Sequence, residues 1–198
     1  MAIYSQVKEQ PRTLMDACLQ AGVGWHVFQP QKNSMSVEMF LKLDGIAGGT
    51  KKFSHKAWTD VTSRAWDMQS NRNSAKLVEG EKTAFRLIAI VKRIGVDSPG
   101  IMSLFVQGKT IASADIDIVP IVSKREGRQK YLSINLEDVR VKSIVTGGNS
   151  TEEFFNETVS LLFGRVRYEF TVNSMPGSDV AAGDFSFAWD LARNSEWQ

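Results

Sequence analysis

Between residues 128 and 172 the chain carries two long stretches in which apolar and polar residues alternate. In the first, Leu132, Ile134 and Leu136 alternate with Ser133 and Asn135, so an extended strand there has one apolar and one wet face. After Glu137 and Asp138 the apolar positions move to Val139 and Val141. A one-residue shift within a continuous strand predicts a β-bulge. The second stretch runs Val159, Leu161, Phe163 and then, past Gly164, Val166, Tyr168, Phe170 and Val172, which predicts a second bulged strand. Two long bulged strands favour a curved, closed sheet over a flat one.

The same period recurs elsewhere. Val37, Met39, Leu41 and Leu43 alternate with Glu38, Lys42 and Asp44, and residues 57–68 return to strand character around Trp58, Val61 and Trp66. Residues 84–91 are apolar on both faces, as in a buried strand. Residues 110–122 set Ile116 and Ile118 against Asp115 and Asp117, with Pro120 marking an edge or bulge. Phe185, Phe187, Trp189 and Leu191 close the series. Between the strands, residues 45–56 and the polar stretch 67–82 read as loops, the second long enough to be functional or mobile. Ser98-Pro99 reads as a capping residue and a first-turn proline. They open a helix whose apolar face is Ile101, Met102, Leu104 and Phe105 and whose stop is Gly108. The expectation is a mainly β domain, a β-barrel or tight two-sheet sandwich, with one short α-helix.

Residues 1–34 stand apart. Residues 11–21 place Leu14, Met15, Cys18 and Leu19 on one face of a short helix stopped by Gly22, and no period follows until Met35. The organisation expected is an N-terminal extension over 1–34, either a flexible leader or a segment outside the native product, and one domain over 35–198.

Composition narrows the function. Twenty-four Lys and Arg against 22 Asp and Glu give a formal charge of +2, which supplies no global pull toward nucleic acid or an anionic membrane. One cysteine offers neither a disulfide framework nor a thiolate metal cage. No apolar run has the length of a membrane span, and the N-terminus lacks a signal-peptide core. The expected product is cytoplasmic, and any export uses a route without a cleaved signal. His26 and His55 have no ligand-type spacing, and His55 reads as a solvated loop residue. Asp115 and Asp117 read as the wet side of their strand. Glu152, Glu153 and Glu157 read as a polar turn leading into the Val159 strand rather than an acid/base pair. No catalytic set, metal site or cofactor motif emerges, and the chain reads as a non-enzyme. Arg165, Arg167 and Glu169 share a strand face that is either a solvated outer surface or a polar face turned to another subunit or an internal channel.

Five stretches then carry a resemblance in their order along the chain: MSVEMFLKLDGIAGG from Met35, the strand ending in Ala65-Trp66, YLSINLEDVRVKSIVTGG, ETVSLLFGRVRYEFTV and WDLARN. Over residues 35–198 the chain resembles the Hcp (haemolysin-coregulated protein) family, the tube protein of bacterial type VI secretion systems. The resemblance implies a fold close to phage tail-tube proteins and a homohexameric ring that stacks into a tube. That tube is expelled with the spike protein from a contractile sheath and carries small effectors in its lumen, with secretion as the final destination. It also implies a lumen position at Ala65, with Arg64 before it. The loop 67–82 is expected to contact the next ring through Asp67, Asn71, Arg72, Asn73, Lys76, Glu79 and Lys82. The family's glycine-rich stretch in that loop is reduced here to Gly80, and residues 1–34 have no counterpart. Competing readings are a monomeric β-barrel holding a small ligand, and a specialised adaptor or effector that uses residues 1–34.

Overall fold

The computed structural model describes residues 36–70, 83–121, 131–149, 151, 153–172 and 183–197. Among these residues nine strands and one α-helix follow in order: β1 (Val37–Leu43), β2 (Thr59–Ser70), β3 (Thr83–Arg93), α1 (Ser98–Gln107), β4 (Thr110–Pro120), β5 (Leu132–Gly147), β6 (Asn156–Leu162), β7 (Arg165–Val172), β8 (Gly183–Asp190) and β9 (Ser195–Glu196). The sheet order is β4-β1-β2-β3-β6-β5-β7-β8-β9, and an additional β4–β5 pairing closes the first six strands on themselves. The result is a six-stranded antiparallel barrel. Strands β7 to β9 extend from β5 as a wing.

The alternation explains the core. Leu132, Ile134, Leu136, Val139 and Val141 of β5 are buried, together with Leu41, Ile88, Ile90, Ile116, Val159, Leu161 and Val166. The parity shift falls at Asp138, whose φ of 55° lies in the left-handed region. Here the structure departs from the expected pair of bulged strands. β5 is continuous, but the second stretch breaks at Gly164 into β6 and β7. The break lets β5 serve two neighbours. Its residues 132–137 pair with β7, and residues 140–147 pair with β6. Gly164 donates its N–H to the Glu137 carbonyl at 2.9 Å, and a Cβ there would lie 3.0 Å from Cβ of Asp138. Glycine is therefore the residue that fits where the chain crosses the bulge.

The helix closes one side of the barrel. Ile101 is fully buried and Leu104 packs on the core, while Gly108 ends the helix at φ 61°. The residue that precedes the helix is Asp97, not Ser98, which is the first helical residue. Neither caps it in the usual way, because both side chains turn inward. β2 begins at Thr59 and runs to Ser70, so residues 67–70 are strand rather than loop. Residues 71–82 lie outside the described residues.

Candidate functional site

The polar face of the wing is assembled by strand register. Arg165, Arg167 and Glu169 of β7 lie opposite Glu137, Asn135 and Ser133 of β5 on one side. On the other side they face Asp190, Ala188 and Ser186 of β8. Arg165 is the hub: Nη1 donates to Glu137 Oε2 at 2.6 Å and Nε donates to Asp190 Oδ2 at 3.3 Å, with Asp138 at 3.8 Å. The Glu137 hydrogen bond pushes the Arg165 guanidinium further up, and the Arg193 backbone N–H, at 2.9 Å, holds the Asp190 carboxyl below its ordinary range. Trp197, just after β9, lies over the Arg167 guanidinium at 4.8 Å and the Arg165 guanidinium at 5.8 Å. Arg165 and Arg167 are therefore engaged by acids and by an indole, while Glu169 is exposed.

The opposite face of the wing is apolar. Phe185, Phe187 and Trp189 stand opposite Phe170, Tyr168 and Val166. Val166 is buried in the barrel core, but the face becomes progressively uncovered outward: Phe187 is 41% and Phe185 58% exposed. The strand edge beside it is also open. β9 pairs with β8 only at Trp189 and Asp190, so among the described residues no strand borders the outer side of residues 183–186. A second open edge lies on β2. β1 pairs with it at Thr59, Asp60 and Val61 only, leaving residues 63–70 without a described strand on that side.

Arg64 and Ala65 sit on this part of β2. They are neighbours in a strand, so they point to opposite faces. Arg64 lies opposite Ile90, on the face of the buried core, and Ala65 lies opposite Ala89 on the other. Arg64 is half-buried and hydrogen-bonded to Tyr168, and burial pushes its guanidinium down. Trp66, on the Arg64 face, meets Phe163 at 6.3 Å and Tyr168 at 5.9 Å between ring centroids. Those contacts tie β2 to the base of the wing. Of the expected stacking residues, Asp67 lies in β2, opposite Leu87. Asn71, Arg72, Asn73, Lys76, Glu79 and Lys82 lie outside the described residues.

Two buried polar clusters were not expected. His55, in a 3-10 turn (Phe53–His55), is 6% exposed rather than solvated. Its Nε2 lies 3.1 Å from Asp117 Oδ2, its Nδ1 lies 2.9 Å from Ser54 Oγ, and its ring stacks on Phe40 and meets the edge of Trp58. Asp117, expected on the wet side, is 1% exposed because this loop folds over it; Ser133 Oγ also donates to it at 2.8 Å. Asp115 is half-buried and accepts a 2.6 Å hydrogen bond from Asn135. The second cluster joins Lys92, Asp97, Ser98 and Glu157 at the end of the barrel. Glu157 is thus a buried residue of β6 rather than part of a polar turn. Its sequence signal was available, since the alternation Ile88, Ile90, Lys92 carries the lysine onto the inward face. Among the described residues no group of three or more His, Cys, Asp or Glu is placed to hold a metal ion, and no helix is long and apolar enough to cross a membrane.

Comparison with known proteins bears on what this architecture is for. Residues 40–170 match the family model described as "Type VI secretion system effector, Hcp". Protein hcp1 of Pseudomonas aeruginosa is 28% identical over 164 residues, which cover 81% of this chain and 98% of that protein. Among solved structures, Hcp1 from Salmonella typhimurium superposes with a TM-score of 0.67 at 24% identity, over 82% of this chain and all of that one. A structure titled as a type six secretion system protein gives a TM-score of 0.70 at 20% identity, over 82% of this chain and 100% of its own. The two superpositions agree on the fold of a barrel with added strands and one helix. With nearly all of the barrel and the first strand of the wing inside the matched region, the chain belongs to the Hcp family of type VI secretion proteins.

Proposed function

We propose that this protein is a structural subunit of the type VI secretion tube, assembling head-to-tail into a homohexameric ring that stacks on further rings. The observation that carries this reading is the pair of unlike open edges on one chain. One is residues 183–186 of β8, beside the exposed Phe185; the other is residues 63–70 of β2; among the described residues no strand borders the outer side of either. An open strand edge beside an apolar face is a liability on a monomer. Two different ones are what a heterologous interface requires, and such an interface closes into a ring when its rotation permits. On this reading the finished tube is expelled with its spike from a contractile sheath, takes small effectors in its lumen, and leaves the cell without a cleaved signal. Ala65 faces the lumen and residues 67–82 meet the next ring. The engaged Arg165 and Arg167 stiffen the wing.

Native mass spectrometry and negative-stain imaging of the purified chain test the reading; six-membered rings are the expected result. A monomer that persists on concentration overturns it. Ser186→Pro gives a sharper test. Ala188 offers its carbonyl outward to Trp197 at 3.2 Å, so the N–H of Ser186, two residues earlier, also faces the open edge. Proline there removes an outward donor while sparing the β7 ladder, and rings should be lost with the monomer still folded.

We further propose that residues 1–34 are an addition to the tube domain. The family match begins at residue 40, and hcp1 is matched over 98% of its own length while covering 81% of this chain. Intact-mass measurement of the native protein decides this, and a product that begins at Met35 or Ser36 removes the addition.

A further inference from the structure

Lys92, Asp97 and Glu157 form a buried triad that tube assembly leaves without a task. Lys92 is 0%, Asp97 3% and Glu157 1% exposed. Lys92 and Glu157 are direct cross-strand partners on β3 and β6, on the face that carries Ile90 and Val159 into the core. Lys92 Nζ lies 2.6 Å from Glu157 Oε1 and 3.0 Å from Asp97 Oδ1. It also donates to the Arg93 carbonyl at 3.0 Å and to Ser98 Oγ at 3.1 Å. Thr59 Oγ1 donates to the other Asp97 oxygen, Oδ2, at 2.7 Å, and Ser98 Oγ donates to Glu157 Oε1 at 2.7 Å.

Three details set this apart from an ordinary buried ion pair. Asp97 stands immediately before α1, where a carboxylate usually accepts from the helix's own N–H groups, yet it makes no such bond and points at the lysine. Two carboxylates share one ammonium. Finally, Glu157 Oε2 is buried and accepts no hydrogen bond from the described residues. Each of these is costly in a dry interior, where an unmatched carboxylate oxygen loses its water without replacement.

We propose that Lys92 and Asp97 condense to an intramolecular isopeptide bond, with Glu157 as the proton-carrying group. The Lys92 ammonium gives one proton to Glu157, and the resulting amine attacks Cγ of Asp97. The new Nζ–Cγ bond forms as one Cγ–O bond breaks. That oxygen leaves as water with two protons originating on Nζ, one of them delivered through Glu157, which returns to its starting state. The net change is one ammonium and one carboxylate becoming one amide and one water, with no oxidant or cofactor. Thr59 steadies the carboxyl oxygen on which negative charge grows as the amine adds. The contact distances give the amine the benefit of a fixed neighbour over a dissolved one. Replacing two buried charges by a neutral amide also relieves their desolvation. Gly95 keeps the approach open, since a Cβ there would lie 3.0 Å from Asp97 Oδ1. An open cleft of about 430 Å³, lined in part by Thr59, Arg93, Gly95 and Asp97, gives the water an exit. The product is a covalent clamp between the end of β3 and the start of α1.

The test is the mass of the purified full chain under denaturing conditions, followed by tryptic mapping. The wild type is expected to be lighter than its sequence by one water. A branched peptide should link Lys92 to Asp97, because the acylated lysine is no longer cleaved. Lys92→Arg should restore the missing water, which a cyclised aspartate would not do. Glu157→Gln, judged folded by its circular dichroism, should retain the full mass. An intact wild-type mass after prolonged incubation at physiological temperature overturns the proposal, as does a water deficit that persists in Lys92→Arg. If a variant does not fold, the wild-type digest decides alone through the presence or absence of the branched peptide.

Discussion

The barrel and the wing are built from the same alternating strands, yet they finish their surfaces differently. In the barrel every strand of the six has a partner on each side for at least part of its length, and Ile88, Ile90, Ile116, Ile134 and Leu161 are fully buried. In the wing the ladder continues but its outer half is far more exposed, with Phe185 at 58%. Alternation specifies which residues share a face, while closure decides whether that face is dry. The ring of pairings in the barrel closes within one chain, and only the far part of β2, residues 63–70, has no described strand on one side. The wing has the composition of an interior and the exposure of a surface, which is why its edge, paired with that of β2, suits an assembly interface.

Substitutions in the barrel should have the largest effect. Ile134→Ala removes a fully buried side chain from the strand that pairs with three others, and should cost about 2–5 kcal/mol. Phe185→Ala in the wing removes a larger side chain, yet it should cost the isolated subunit under about 1 kcal/mol, because so much of the ring is already in water. Urea denaturation of both variants checks the contrast under conditions where the protein is monomeric. Equal losses would mean that the wing is as enclosed as the barrel. A second barrel prediction concerns Gly48, where a Cβ would lie 2.2 Å from the Trp58 carbonyl oxygen. Backbone cannot move aside as a side-chain tip can, so Gly48→Ala should destabilise by about 1–3 kcal/mol. Gly147→Ala, which meets nothing within 4 Å, is the control.

These residues also show what could be read from the sequence. The Asp138 shift was visible because parity is a local property, and Gly108 was visible because a helix stop is local too. The break at Gly164 was not. A bulge and a strand break leave the same change of parity, and only β5, which takes β6 along one half and β7 along the other, distinguishes them. His55 was misread for a related reason. Its partner Asp117 lies 62 residues away, and nothing near either residue announces the pairing. Lys92 is intermediate: its parity with Ile88 and Ile90 pointed inward, but burial of a lysine is acceptable only with acids that the sequence places at 97 and 157. Of the assembly surfaces, the β7 face was legible as a face. Its engagement by Glu137, Asp190 and Trp197 was not, because those contacts come from register and from the chain end.

The clasp over the barrel gives a smaller effect. His55→Ala removes the contact to Asp117 Oδ2 and opens space beside Phe40, so about 1–3 kcal/mol should be lost. Asp117→Asn keeps an oxygen for one partner and turns an amide N–H donor to the other, which His55 Nε2 or Ser133 Oγ can accept, and it should lose less. A double-mutant cycle on the two positions measures their coupling directly. A coupling near zero would show that His55 acts through packing on Phe40 and Trp58 alone.

The smallest effect expected is the acid response of the wing's end. The folded Asp190 carboxyl lies below its ordinary range, chiefly through the Arg193 backbone N–H. A depressed carboxylate contributes stability that is present above the unfolded value and is lost as pH falls through the folded one. Nothing should therefore change at this site between neutral and mildly acidic pH. Below the ordinary carboxylate range, the turn between β8 and β9 should loosen and release Trp197 from Arg165 and Arg167. The indole N–H resonances separate the two regions. Trp197 should shift in that acid window, while Trp66, packed against Phe163 and Tyr168, should hold its position until the barrel itself unfolds. Asp190→Asn should abolish the Trp197 step. A step that survives in that variant removes Asp190 as its origin and overturns the assignment of the acid response to the turn between β8 and β9.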